Sequence, residues 1–468
     1  MTAATAPARR VPLVLRNRMF GTVWLAQVLT QAGMRMFQVG ASWWLIAYAA
    51  SGDGGSAAGL FMAVSTLPAV ALAPVIARAI ARFAHRSLLR AAAAGAGVVA
   101  AALAGWAGVS DLPVAAAYAG GLALATCQAF FDPCLTTSVP ELVDDEDIEA
   151  ATGFELSTQS LASLGGAMLG ALVVDGAGMA GLAVGCTAAY AVAALLVATV
   201  RFHGTDGTAD AARPPAGEPD AALVADAAAG DGGAPRRTLR QILGALPYVR
   251  AVLLCFTAAN LFTTAVFVVM PLYTASVLHG DGGTVTLLEA SLGAGTLIGS
   301  FTGARVPGRP GVVGPACLGL MALALALPGL IAARPVLAGS LLVAGWSVGV
   351  IGVRFVALFQ RLVPAADKPA FFAVMQAVLG ATFPVASLLF GVLGDHFSAR
   401  TLCLVQAAGL VPAALALALL PERPGAAGAE AACDTTRAPE TETESETGAE
   451  TGADTRAGSA ETAAGGAR

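Results

Sequence analysis

The stretch VVGPACLGLMALALALPGLIA, residues 312–332, runs 21 residues without a charged side chain. A helix needs about 20 apolar residues to cross a hydrocarbon core about 30 Å thick, so this segment reads as a membrane span. Eleven comparable stretches surround it. Those before a polar central segment cover 20–48, 57–80, 88–108, 113–134, 152–175 and 179–200. Those after it cover 251–278, 284–304, 336–358, 371–394 and 399–420, with 312–332 third in that set. Lipid offers the backbone no hydrogen bonds, so spans of this length are helices. Barrel strands would be about 10 residues long with alternating polarity, and no such alternation occurs. The chain is 56% hydrophobic and 12% charged, with mean hydropathy +0.73. The expected fold is all-α and polytopic: twelve transmembrane helices in two six-helix halves.

Positive charge sets the orientation, because arginines and lysines collect on the cytoplasmic side. Arg9, Arg10, Arg16 and Arg18 precede the first span, and Arg82, Arg86 and Arg90 follow the second. Arg201, Arg236, Arg237, Arg240 and Arg250 flank the central segment; Arg305, Arg309, Arg361 and Lys368 follow later spans on the same side. Only Arg334 and Arg400 fall opposite. Both termini and the central segment are therefore expected in the cytoplasm of a multi-pass protein of the cell inner (plasma) membrane. Trp43, Trp44 and Trp106 fall at the outer ends of spans, as interfacial anchors would. The first span is too long, and with Gln27, Gln31 and Arg35 too polar, to be a cleaved signal peptide.

This gives five regions: a cytoplasmic segment 1–18, a six-helix bundle 19–202, a linker 203–250, a second bundle 251–421 and an acidic tail 422–468. The linker (204–235) and the tail are poor in large apolar residues, so ordering entropy would outweigh burial and both should be disordered. Residues 237–246 at the linker's end suit a short amphipathic helix lying on the membrane.

Enzymatic and metal chemistry find little support. The seven cysteines are scattered without a CxxC pair, and the four histidines lack ligand spacing. Lys368 is the only lysine, so no phosphate-cradling GxxxxGK[ST] loop exists. No metal site, catalytic residue, cofactor or nucleic-acid partner is expected. The expected partners are the bilayer and a small-molecule substrate, and the protein should act as a monomer.

The halves echo each other at an offset of about 224 residues: Val139-Pro140 matches Val363-Pro364, and Gly170 matches Gly394. Six-plus-six repeats around a linker are a secondary-transporter architecture, with substrate bound near the midplane between halves. Leu15–Gln27, Ala129-Phe-Phe-Asp-Pro133, Val139-Pro-Glu-Leu-Val143, Ala150-Ala-Thr-Gly153, Gln360-Arg-Leu-Val-Pro364 and Phe390-Gly-Val-Leu-Gly-Asp395 follow in order. With these, residues 13–420 resemble the major facilitator superfamily, and within it a twelve-helix branch of enterobactin-exporter-like and macrolide-efflux-like proteins. The resemblance implies export driven by the proton gradient. It also implies an inner-loop latch at Arg82, Arg86, Arg305 and Arg309. Two departures stand out. Ala77 and Ala81 occupy the usual glycine and aspartate of the latch loop, and Met34 follows Gly33 where that branch commonly has an acid.

Gln27, Gln31, Arg35, Gln38 and Ser42 share an arc of about 80° on one helix face. A polar stripe in lipid should face the bundle interior or a water-filled cavity; glutamines that only glue helices together are the alternative. Arg35 lies deep in its span. Counting from span ends puts no acid at its depth, so it is expected either to await an anionic substrate group or to bind backbone carbonyls or water. Asn260 and Thr264 give the equivalent seventh span a polar face, a possible second cavity wall, with Pro271 expected to weaken that helix. Asp132 and Glu155 are the proton-coupling candidates; the competing reading makes each an interfacial acid. The function expected is proton-driven efflux of a small amphiphilic or anionic organic molecule by alternating access. An uptake transporter or a transport-inactive sensor or scaffold are the alternatives.

Overall fold

A computed structural model describes residues 16–49, 53–138, 143, 148–200, 247–364 and 368–420. The central linker, its amphipathic segment, the N-terminal segment through residue 15 and the tail from 421 lie outside the described residues. All regular structure among the described residues is helical. In chain order the helices are α1 (Arg18–Trp44, continued as a π-helical turn Leu45–Ala49), α2 (Gly54–Ala71), α3 (Ala73–Arg82), α4 (His85–Val109), α5 (Val114–Ser138) and α6 (Ile148–Thr199). They continue with α7 (Pro247–Thr264), α8 (Val266–Ser276), α9 (Gly282–Thr302), α10 (Pro310–Leu330), α11 (Arg334–Leu362), α12 (Lys368–His396) and α13 (Ala399–Leu419).

These helices supply twelve spans, although length and hydropathy alone single out ten among the described residues. The difference has two physical causes. The polar stripe lowers the hydropathy of α1 below that of its neighbours. In α6 two spans are joined by a tight turn at Gly178, whose φ of 66° and ψ of −169° suit a residue without a Cβ. Two spans are interrupted instead. The second breaks at Leu72 between α2 and α3, with Pro74 in the first turn of α3. The seventh breaks at Ala265, between α7 and α8, while Pro271 is accommodated inside α8; the weak point thus lies about six residues earlier than the proline suggested.

Lipid-facing positions such as Val98, Leu195, Leu323 and Leu419 are exposed and apolar. The large core runs through both halves, from Phe37, Phe61 and Leu182 to Tyr273, Leu341 and Phe390. A smaller core of Phe20, Leu89, Phe131, Leu135 and Val197 lies within the first half, toward the end where α1 begins.

The halves meet mainly through two helix pairs, α2 with α12 and α6 with α9. Both contacts are made at the end of the bundle opposite the start of α1. There α2 and α12 approach so closely that a Cβ at Gly391 would sit 2.7 Å from the Gly55 carbonyl oxygen. Two carboxylates at equivalent ends of the repeats secure this end. Asp395 of α12 accepts from the Gly55 and Ser56 amides at 2.8 and 2.9 Å, capping α2. Asp175 of α6 accepts from the Gly282 amide at the start of α9, and from Trp43 Nε1 (2.7 Å) and the Tyr48 hydroxyl (2.9 Å). Trp43 is therefore a buried latch partner rather than an interfacial anchor; Trp106 is half-exposed as an anchor should be. At the other end, α3 packs principally on α2, α4 and α5 of its own half.

Candidate functional site

The stripe on α1 faces inward. Gln27, Gln31, Gln38 and Ser42 are all buried. Gln31 Nε2 donates to Asp132 Oδ1 at 3.2 Å, and Gln128 Nε2 donates to the same oxygen at 2.6 Å. The helix spacing of Gln128 and Asp132 puts both on one face of α5, opposite the α1 glutamine. Asp132 is half-buried between helices. Next to it, the Tyr190 ring from α6 lies against Gly33, 3.5 Å from where a Cβ would stand.

Buried polar atoms are normally hydrogen-bonded, and each exception requires an explanation. Gln27 Nε2, Gln31 Oε1, Arg35 Nε, Ser42 Oγ and the Tyr190 hydroxyl are all buried without a partner. Four of the five stand on the α1 stripe. A cluster of unmet donors and acceptors on one face is what a polar ligand or internal water would complete.

Arg35 is the centre of this arrangement. Its side chain bends along α1 so that Nη1 donates to Gln38 Oε1 at 3.1 Å. Its guanidinium lies 5.5 Å from the centroid of the Phe267 ring, which belongs to α8 in the other half. Such cation–π contacts contribute about 0.5–2 kcal/mol, more where water is excluded. Phe267 in turn stacks at 5.7 Å on Phe383 of α12. Arg35 thus sits at the seam between the halves.

Counting from span ends put no acid at the depth of Arg35. One acid is nevertheless buried away from the outer face: Glu289 on α9 is only 6% exposed. The Arg35 side chain itself reaches toward the latched end, where it meets Gln38.

The remaining predicted residues fall as follows. Asn260 Nδ2 donates to Thr382 Oγ1 (2.6 Å) and the Leu379 carbonyl (3.1 Å), tying α7 to α12 within one half. Thr264 donates back to the Asn260 carbonyl at 2.8 Å. These groups spend their hydrogen bonds on packing. Glu155 lies in the first arm of α6, and its side chain is outside the described residues. Arg82, Arg305 and Arg309 are exposed, Arg86 is half-buried, and Arg305 Nη1 turns back to the Phe301 carbonyl at 3.5 Å. Arg354, near the same end of α11, donates to the Val306 and Gly308 carbonyls. Among the described residues no cluster of metal-ligating side chains occurs.

The fold and the seam between its halves define a class: a helical membrane protein with a polar centre enclosed by two six-helix repeats. The model of the Major Facilitator Superfamily matches residues 23–333, and the chain belongs to that family. Solved structures agree on the fold. A bacterial homologue of the iron transporter ferroportin, in an inward-facing state, matches with TM-score 0.62 and 13% identity over 86% of this chain and 98% of its own. A D-xylose-proton symporter matches with TM-score 0.61 and 13% identity over 87% and 98%. The POT family transporter PepTSo matches with TM-score 0.61 and 11% identity over 86% and 97%. No curated protein sequence matches the chain. The protein is therefore a multi-pass membrane transporter of this superfamily.

Proposed function

We propose that the protein exports a small amphiphilic organic molecule carrying an anionic group, driven by the proton gradient, across the plasma membrane. Both termini are cytoplasmic in this reading, by the arginine asymmetry. The end latched by Asp175 and Asp395 is then external, and substrate enters the seam from the cytoplasm. Export and proton drive rest on the resemblance to the efflux branch. The anionic group rests on one observation: Arg35, at the seam of the two halves, keeps Nε buried and unpartnered while its face is held by Phe267. A planar guanidinium with free donors matches a carboxylate, sulfonate or phosphate.

In this mechanism substrate binds across the seam, touching α1 of one half and α8 and α12 of the other. Closing around it draws the halves together at the cytoplasmic end while the external latches release. Asp132, held by Gln31 and Gln128 on the same polar face, is the proposed proton carrier, with Glu155 the other candidate. The test is binding of dansylglycine, an anionic amphiphile, to purified protein. Arg35→Gln should weaken it by about 1–3 kcal/mol, the scale of one charge-assisted hydrogen bond. Arg35→Lys should rescue only in part. Equal affinity in all three proteins would make Arg35 structural and remove the anionic group from the proposal.

A further inference from the structure

One irregularity in the first span has no role so far. Leu45–Ala49, which continue α1, form a π-helical turn, the only one among the described residues. Such turns are rare, appear mostly as single insertions within α-helices, and are frequent at functional sites. The α register holds as far as the Leu45 amide, which bonds the Ala41 and Ser42 carbonyls. The segment Leu-Ile-Ala-Tyr-Ala contains neither proline nor glycine, so the usual local causes of helix irregularity do not impose the turn.

The hydrogen bonds around it show what it does. Trp43 Nε1 and the Tyr48 hydroxyl both donate to one atom, Asp175 Oδ1, at 2.7 and 2.9 Å. The two residues are five apart in sequence. In a regular α-helix that spacing would set Tyr48 about 140° around the helix from Trp43. A π turn closes i→i+5 bonds and so absorbs one extra residue. Tyr48 therefore returns above Trp43, as residue i+4 does in an α-helix. In the α register that place belongs to Ala47, which has no donor to offer.

The other oxygen of Asp175 accepts from the Gly282 amide, at the start of α9 in the opposite half. Two donors on Oδ1 thus aim Oδ2 across the seam. Hydrogen bonds to a carboxylate are of the stronger, charge-assisted kind. Trp43 is buried and Tyr48 is exposed, so Trp43 is the fixed anchor and Tyr48 is the donor with room to leave.

We infer that the π turn is the release element of the Asp175 latch and that Tyr48 is its positioning residue. In the π register Tyr48 holds the carboxylate against α9. In the α register Tyr48 turns away by about 100°, Asp175 keeps Trp43 alone, and the contact of α6 with α9 loosens. The change gives up one hydrogen bond and regains a regular helix, so the two registers form a two-state element that a modest bias shifts. The element ends the same helix that carries the Arg35 stripe. The inference depends on neither the substrate nor the direction of transport, only on the latched end opening and closing as alternating access requires.

Opening is read at Ser387 of α12, which is buried against Gly59 of α2 and so belongs to the other pair of helices joining the halves. Ser387→Cys in a cysteine-free background reports the open fraction of purified full-length protein through its rate of labelling by a bulky maleimide. Tyr48→Phe should raise that rate about fivefold, the scale of one net hydrogen bond. Deleting Ala47 removes the extra residue, so Tyr48 falls four places after Trp43 and reaches Asp175 from a regular α-helix. The latch is then made in the only register left, and labelling should slow about tenfold. The paired change Ala47→Tyr with Tyr48→Ala moves the phenol to the same place at constant chain length and should slow labelling likewise. Both rearranged proteins should melt no lower than the parent, and adding Tyr48→Phe to the deletion should speed labelling again. Labelling at the parent rate or faster in both rearranged proteins would reduce the π turn to a packing detail. An unchanged rate in Tyr48→Phe would show that the hydroxyl does not hold the latch. Loss of folded protein in both rearranged variants would also overturn the inference, since each is expected to keep the latched structure.

Discussion

The paired carboxylates at the latched end make a quantitative prediction. In Asp395→Ala the Gly55 and Ser56 amides lose both acceptors, at 2.8 and 2.9 Å. Hydrogen bonds to a charged group contribute about 1.5–3 kcal/mol each, and a carboxylate at a helix N-terminus adds a few tenths to one more. The amides recover water once the halves part, and the carboxylate sheds water to make the latch. The net bias toward the latched state is then about 2 kcal/mol, smaller than the gross sum. At 1.4 kcal/mol per decade this is about a 30-fold shift in the latched-to-open ratio. A cysteine at Ser42, buried on α1 toward this end, reports the open fraction through its rate of labelling by a bulky maleimide in a cysteine-free background. Asp395→Ala should raise that rate about 30-fold. Asp175→Ala should act in the same direction, and the double variant near-multiplicatively, since the latches join different helix pairs. A change below threefold in both single variants, with the protein still folded, would refute the gating role of the carboxylates.

Further outcomes follow from other parts of the structure. A cysteine at Asp220 in the linker should resist a membrane-impermeant reagent in intact cells, while one at Asp111, exposed between α4 and α5, should react; labelling at Asp220 from outside would invert the topology. The Asp281 carboxyl accepts from the Thr284 amide and hydroxyl at the start of α9, and these bonds, helped by Arg334, hold it below the usual carboxylate range. Its stabilisation is therefore complete above the ordinary carboxylate value and disappears as pH falls through the lowered one. Asp281→Ala should cost about 1 kcal/mol at neutral pH, and the melting temperatures of the two proteins should converge in acid; a gap that persists there would exclude the carboxylate as its source. Asp132→Asn should keep the fold, because Gln31 and Gln128 still find an acceptor, but should flatten the pH dependence of transport; an unchanged profile would remove Asp132 as proton carrier.

The spans were legible because each is a local property of about 20 residues. The α1 stripe was legible for the same reason, since Gln27, Gln31, Arg35 and Gln38 share a face by helix period alone. What joins one span to another was not. Glu289 lies seven residues into α9, about 10 Å from its start, and nothing local says that it is buried. The latch roles of Asp175 and Asp395 were hidden for a related reason. A carboxylate near a span end looks interfacial until the helix N-terminus it caps is known, and that helix belongs to the other half. Asn260 and Thr264 show the same limit: a polar face reads alike whether it lines a cavity or ties helices together, and in the structure it ties α7 to α12 and to its own backbone. Ala77 and Ala81 weaken the inner latch in the sequence, and the described side chains put the cross-half hydrogen bonds at the other end.

Proton movement coupled to substrate tests the transport reading most directly. Wild-type protein is reconstituted in liposomes holding a trapped pH dye, and dansylglycine is added under an imposed proton gradient. Substrate-dependent dissipation of the gradient is expected in wild type, with substrate and protons moving in opposite directions, and neither flux is expected in Arg35→Gln. Flux of equal size in Arg35→Gln, or a gradient in wild type indifferent to the substrate, would contradict proton-driven exchange at the seam between the halves.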